Sequence, residues 1–166
     1  MKTKTMVMLI IFATTTFTLA AQTVSEKTME GTTYVITQYK GIIGEEVKNK
    51  NGLYDKYSKE ISGPVYVKDS NIAIRDLIRK IFTEERIKEL AANPVNANIG
   101  IALLCNSSGD VVAVRFIGVN TDLITWEEIK ALEDACLQVK FVFDTSKCPD
   151  GKYFLINYPI NFPKLL

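Results

Sequence analysis

The chain has 166 residues, with 20 Lys and Arg against 19 Asp and Glu and no histidine. A near-neutral chain without a basic run argues against nucleic acid or an anionic membrane surface as partner. The missing histidine removes Ser-His-Asp and Cys-His nucleophiles and every His-containing metal site, while 47% hydrophobic residues suffice for a folded core.

The chain opens with Lys2 and Lys4, then the apolar run MVMLIIFA at residues 6–13, hydroxyl-bearing residues, and Ala20 and Ala21 before polar Gln22 and Thr23. This is the layout of a secretory signal peptide. The run is short against the roughly 20 apolar residues of a membrane span, and an uncleaved anchor is the alternative. Residues 1–21 are therefore expected to be removed on export to the periplasm or the extracellular space, leaving no stable membrane span. Loss of Lys2 and Lys4 takes the net charge from +1 to −1. Export permits a disulfide among Cys105, Cys136 and Cys148. Cys136 and Cys148 flank a single expected strand and loop, so that pair is the favoured bridge. The alternative is three buried thiols acting as small apolar side chains.

Residues 22–69 read as an irregular N-terminal region with short strands. Residues 32–39 (TTYVITQY) are β-branched and aromatic. Asn51-Gly52 is a tight-turn signal, residues 53–61 carry no clear pattern, and residues 65–67 read as a short strand. From Ser70 the pattern sharpens. Ile74, Leu77, Ile78, Ile81 and Phe82 form one helical stripe. It fails at Glu85 and Lys88 and restarts at Ile87, so Thr83 is expected to cap a second short helix with Glu84 and Glu85 in its first turn, ended by Asn93-Pro94.

Residues 99–105 are apolar along nearly their whole length and predict a strand. Residues 106–110 (NSSGD) predict a hairpin connection. The returning strand, 111–117, is expected to put Val112, Val114 and Phe116 on one face and Arg115 on the other. Thr125-Trp126-Glu127-Glu128 is a capping box with Ile124 and Ile129 at the staple positions; Ile129, Leu132, Cys136 and Val139 form the stripe of that helix. Residues 139–143 (VKFVF) alternate as a strand. A last strand over 153–162 puts Phe154, Ile156, Tyr158, Ile160 and Phe162 on one face, and Pro159, unable to donate to a ladder, places its end at a sheet edge or a bulge.

The order of these elements over residues 98–162 resembles the C-terminal domain of the TonB energy-transducer family: an apolar strand, the Gly109-Asp110 turn, a Val-rich strand, a capped helix, Phe141 to Phe143, and a final strand ending Tyr158-Pro159-Ile160-Asn161-Phe162. The chain lacks the family's proline-rich linker. The resemblance implies that the edge of the small sheet accepts a partner strand. Here that edge is the final strand, with Tyr153, Phe154, Leu155, Ile156, Asn157 and Tyr158 as the expected partner-binding residues. The physical basis is backbone pairing at an exposed edge.

Little reactive chemistry stands against that reading. Three separated cysteines do not make a zinc site by spacing, there is no phosphate-cradling glycine loop, and no cofactor is called for. The adjacent acids Glu45-Glu46, Glu84-Glu85, Glu127-Glu128 and Glu133-Asp134 point in different directions as neighbours, and those at helix starts serve the helix dipole. The sequence thus predicts an α+β domain over residues 70–166: a small mixed or antiparallel sheet, hairpin–helix–hairpin, packed on one main helix and preceded by a helical pair. The expected function is an exported, non-catalytic envelope protein that binds a protein or peptide partner by its sheet edge. The alternatives are a secreted hydrolase using carboxylates, and a cystatin-like inhibitory or structural module acting through its loops at 106–110 and 145–152.

Overall fold

A computed structural model describes residues 22–62, 65, 67, 70–93, 97–143 and 151–166. The expected leader, the middle residue of the short strand read over 65–67, Pro94, and Cys148 with residues 145–150 of the second expected loop lie outside them. Six strands form one antiparallel sheet in the order β1-β2-β3-β5-β4-β6, and the architecture is α+β.

Strands β1 (Gln22–Met29) and β2 (Thr32–Tyr39) make a hairpin with Met29 opposite Thr32. Its two turn residues, Glu30 and Gly31, both have positive φ, 46° and 78°, the geometry that matches strand twist in a two-residue connection. Strand β3 (Glu45–Asn49) pairs with β2 on one side and with β5 (Val111–Val119) on the other. The sheet therefore runs across the 69/70 division read from the sequence. At Gly44 (φ 81°) a Cβ would overlap the backbone of Gly118, so only glycine allows this approach of β3 to β5.

Strand β4 (Ile99–Asn106) lies between β5 and β6 (Tyr153–Ile160). From Ile101 to Cys105 both of its faces are covered, which is why that stretch is continuously apolar. Ile99, Ile101, Leu103 and Cys105 face the main core. Ala102 and Leu104 face a smaller cluster with Tyr54 and Ala113. Tyr54 belongs to the short helix α1 (Tyr54–Tyr57), continued by a 3-10 turn at Ser58–Glu60, in the stretch where the sequence showed no pattern. The main core is closed by α2 (Ser70–Ile81), α3 (Glu84–Ala91) and α4 (Trp126–Cys136). The expected caps are in place. The Arg86 amide donates to the Thr83 hydroxyl at 3.2 Å. Thr125 and Glu128 exchange reciprocal bonds of 2.9 and 3.2 Å.

Three local expectations are corrected. Leu104 sits opposite Ala113 while Cys105 sits opposite Val111, so Val112 is the extra residue of a β-bulge and turns to the smaller cluster, away from Val114 and Phe116. Residues 139–143 form isolated bridges, Lys140 to Asp110 and Phe143 to Val67, with the Phe141 amide bonded to the Gly109 carbonyl at 2.8 Å; they tie to a turn and do not join the sheet. The final strand stops at Ile160. Asn161 caps a 3-10 turn, Phe162–Leu165, and Phe162 packs edge-on to Phe82 with centroids 5.4 Å apart.

Two long-range polar ties lock the layers. Tyr34 of β2, 0% exposed, donates its hydroxyl to Glu133 of α4, 5% exposed, at 2.7 Å, and Trp126 stands 5.9 Å from the Tyr34 ring. Burial first, and then the Glu133 carboxylate, push the Tyr34 phenol far above its ordinary range. Arg86 of α3 forms a two-pronged pair with Glu128 of α4 at 2.6 and 3.0 Å. That hydrogen bond is the main reason its guanidinium holds its proton more tightly than usual.

Candidate functional site

The sheet has two outer strands, β1 and β6. The direction in which β6 presents its main chain follows from one bond: the Ser62 amide donates to the Tyr153 carbonyl at 3.0 Å, so Tyr153 faces away from β4. Main-chain groups of alternate residues in an antiparallel strand point to opposite sides. Leu155, Asn157 and Pro159 therefore present theirs outward, while Phe154, Ile156, Tyr158 and Ile160 pair with Cys105, Leu103, Ile101 and Ile99. Pro159 sits where its missing N–H costs β4 no ladder bond. Among the described residues, only Ile61 and Ser62 meet this edge, at Tyr153.

The expected partner-binding residues thus divide. Phe154 and Ile156 are buried on the helix side, Phe154 edge-on to Phe143 at 5.2 Å. Tyr153 stacks on Tyr57, with ring centroids 4.3 Å apart; burial there, then a hydrogen bond with Tyr57, hold its phenol above the ordinary range. Tyr158 is half-buried on the helix side, and Leu155 and Asn157 face the opposite side, Asn157 exposed. Only Leu155 and Asn157 combine an outward-facing main chain with N–H donors unclaimed by the sheet.

Beside them lies a groove that sequence reasoning missed. Past the end of α1, among the described residues, the second face of the sheet is left open at Ile117. One open depression of about 390 Å³ is lined by Gly100, Arg115, Ile117, Leu155, Asn157 and Pro159. Another of about 440 Å³ continues it past Ile43, Gly118, Asn161 and Lys164. Ile43 and Ile117 are 65% and 42% exposed, and Gly100 supplies a floor without a side chain. Arg115 closes one end, its guanidinium 4.7 Å above the Tyr54 ring and 3.6 Å from Glu46. The only hint in the sequence was Gly100 interrupting an apolar strand, a mark of close backbone approach.

The remaining expected sites are placed as follows. Cys136 is a free buried thiol, as is Cys105, and burial pushes both up to about 12; Cys148 of the expected bridge lies outside the described residues. The 106–110 hairpin is held by its own Asn106, whose side-chain oxygen accepts from the Ser108 and Asp110 amides at 3.0 Å each. Glu45 and Asp122 line a small polar hollow of about 190 Å³, where Thr121 donates its hydroxyl to Glu45 at 2.7 Å. Among the described residues no group of three or more Cys, Asp or Glu is set to hold a metal ion, and no helix is long and apolar enough to cross a membrane.

The chain is an α+β protein whose sheet, among the described residues, meets only Ile61 and Ser62 along β6, beside an apolar groove. No family model matches the sequence, and no curated protein is a significant match. Its fold is similar to that in the crystal structure of a DUF5043 family protein from Bacteroides uniformis, with a TM-score of 0.58 over 85% of this chain and 86% of that one. At 15% identity the likeness is one of fold.

Proposed function

We propose that this is an exported, non-catalytic protein of the cell envelope, periplasmic or extracellular, that captures an extended segment of a protein or peptide partner along β6. The observation that carries the reading is the coincidence of outward-facing main chain at Leu155 and Asn157 with the groove floored by Gly100. In strand addition, main-chain bonds supply affinity and pockets for alternate side chains supply specificity. The resemblance to the TonB C-terminal domain read from the sequence of residues 98–162 implies the same mode. The other edge, β1, is exposed on nearly every residue of both faces and carries Glu26 and Lys27, charged groups that discourage strand addition.

Asn157→Pro tests the reading. It removes an outward N–H and none of the bonds to β4, and the preceding residue already has the extended conformation that proline requires. The variant keeps its fold and loses its partner. A partner held equally well by the variant sinks the proposal. The hollow holding Glu45 and Asp122 favours a second reading, a carboxylate hydrolase. Its volume falls below the roughly 300 Å³ at which small-molecule pockets begin. Hydrolysis of an ester or glycoside substrate by the wild type, abolished in Glu45→Gln, would establish that reading.

A further inference from the structure

Resting on the edge-pairing reading, we infer that the strand captured by β6 is amphipathic, with apolar and acidic side chains in alternation. An added strand continues the pleat, so its successive side chains fall on opposite faces of the sheet. On one face they continue the apolar surface of Leu155, Pro159, Gly100 and Ile117. On the other they meet a depression of about 320 Å³ bounded by Arg75 and Tyr158 and by Pro159, Ile160, Asn161 and Lys164, which stand between it and the groove.

That second side carries two cations, Arg75 and Lys164, while Glu84 lies in the adjoining hollow with Arg79 and Leu165. Arg75 and Arg79 are four apart on α2 and share one flank, which faces the C-terminal 3-10 turn, where Arg79 donates to the Leu165 carbonyl at 2.9 Å. Arg75 and Lys164 are exposed, and among the described residues neither forms an ion pair. Asp76 follows Arg75 directly and so points elsewhere on the helix. At the far end of β6, Lys152 is already paired with Glu60 at 3.4 Å. A carboxylate on the incoming strand gains charge-assisted bonds from Arg75 and Lys164; an ammonium in the same place is repelled.

The test titrates 15N-labelled protein with three terminally blocked peptides of about eight residues, the length of a strand, alternating Val-Glu, Val-Lys and Thr-Glu. The Val-Glu peptide is expected to shift the amides of Leu155 and Asn157 and to bind at least about tenfold tighter than Val-Lys at low salt. Salt at about 0.5 M should shrink that ratio, and the Arg75→Glu/Lys164→Glu double variant should reverse it. Thr-Glu, lacking apolar side chains for the groove, should bind more weakly than Val-Glu. Leu155 and Asn157 shifts of equal affinity with Val-Glu and Val-Lys overturn the acidic preference and leave edge pairing standing. Shifts at neither amide with any peptide overturn edge pairing itself, and this inference with it.

Discussion

Tyr34→Phe keeps the ring and removes one hydroxyl, the donor to Glu133 across 2.7 Å. The variant leaves a carboxylate with 5% exposure without that donor, on a helix packed against the sheet. A hydrogen bond to a charged group contributes about 1.5–3 kcal/mol, and the loss falls on the abandoned partner. For a domain of this size 1 kcal/mol moves the melting temperature by about 2–4 °C, so a loss near 2 kcal/mol lowers it by roughly 4–8 °C. Replacing both partners should be milder than replacing one, because a buried pair exchanged for apolar groups of similar shape leaves nothing unsatisfied. Thermal and urea unfolding of Tyr34→Phe, Glu133→Met and the double variant measure both effects. The double variant is expected to recover most of what Tyr34→Phe loses. A Tyr34→Phe protein within about 0.5 kcal/mol of wild type, the usual range of surface changes, would refute the claim that this bond ties the N-terminal strands to the C-terminal helix.

Other outcomes follow from single positions. Gly109 has φ of 85° and its Cβ position overlaps the Phe141 carbonyl oxygen, so Gly109→Ala should cost more than the roughly 1 kcal/mol of a left-handed residue alone, read as a lower urea midpoint; an unchanged midpoint contradicts the packing of residues 139–143 on the hairpin. The Cys105 and Cys136 thiols are pushed up to about 12 by burial, while unfolded thiols ionise near 8.5. Because the unfolded chain loses these protons first, stability is full below about pH 8.5 and falls as pH rises toward 12, by up to about 1.4 kcal/mol per pH unit for each thiol. Urea midpoints between pH 8 and 10 check this, and a flat profile contradicts it. Neither thiol should react with iodoacetamide in the native protein, whereas both should react in denaturant.

The sequence made legible what is decided locally. The Thr125 capping box, the Thr83 break and the 106–110 hairpin each depend on residues within one turn of chain, and each is found where the pattern puts it. Pro159 marked the end of its strand as an edge or a bulge because a missing N–H has few tolerable places in a sheet, and the structure puts that strand at an edge. What escaped was decided at long range. Strand β1 has no apolar face to announce it and exists through main-chain pairing with β2. The bulge at Val112 flips one side chain without any turn residue to signal it. The burial of Glu133 makes sense only once Tyr34, 99 residues earlier, is brought against it. Residues 139–143 alternate like a strand, yet they meet the turn at Gly109. The groove, too, is assembled from single residues of the β2–β3 connection, three strands and the C-terminal turn, so no window of sequence contains it.

The most direct measurement is residue-resolved hydrogen exchange along β6, alone and with the bound Val-Glu peptide or a native partner. In the free protein the amides of Phe154, Ile156, Tyr158 and Ile160 should exchange slowly, and those of Leu155 and Asn157 fast. Binding should slow Leu155 and Asn157 selectively. Binding that leaves these two amides as fast as before, with protection confined to another surface, would contradict the account.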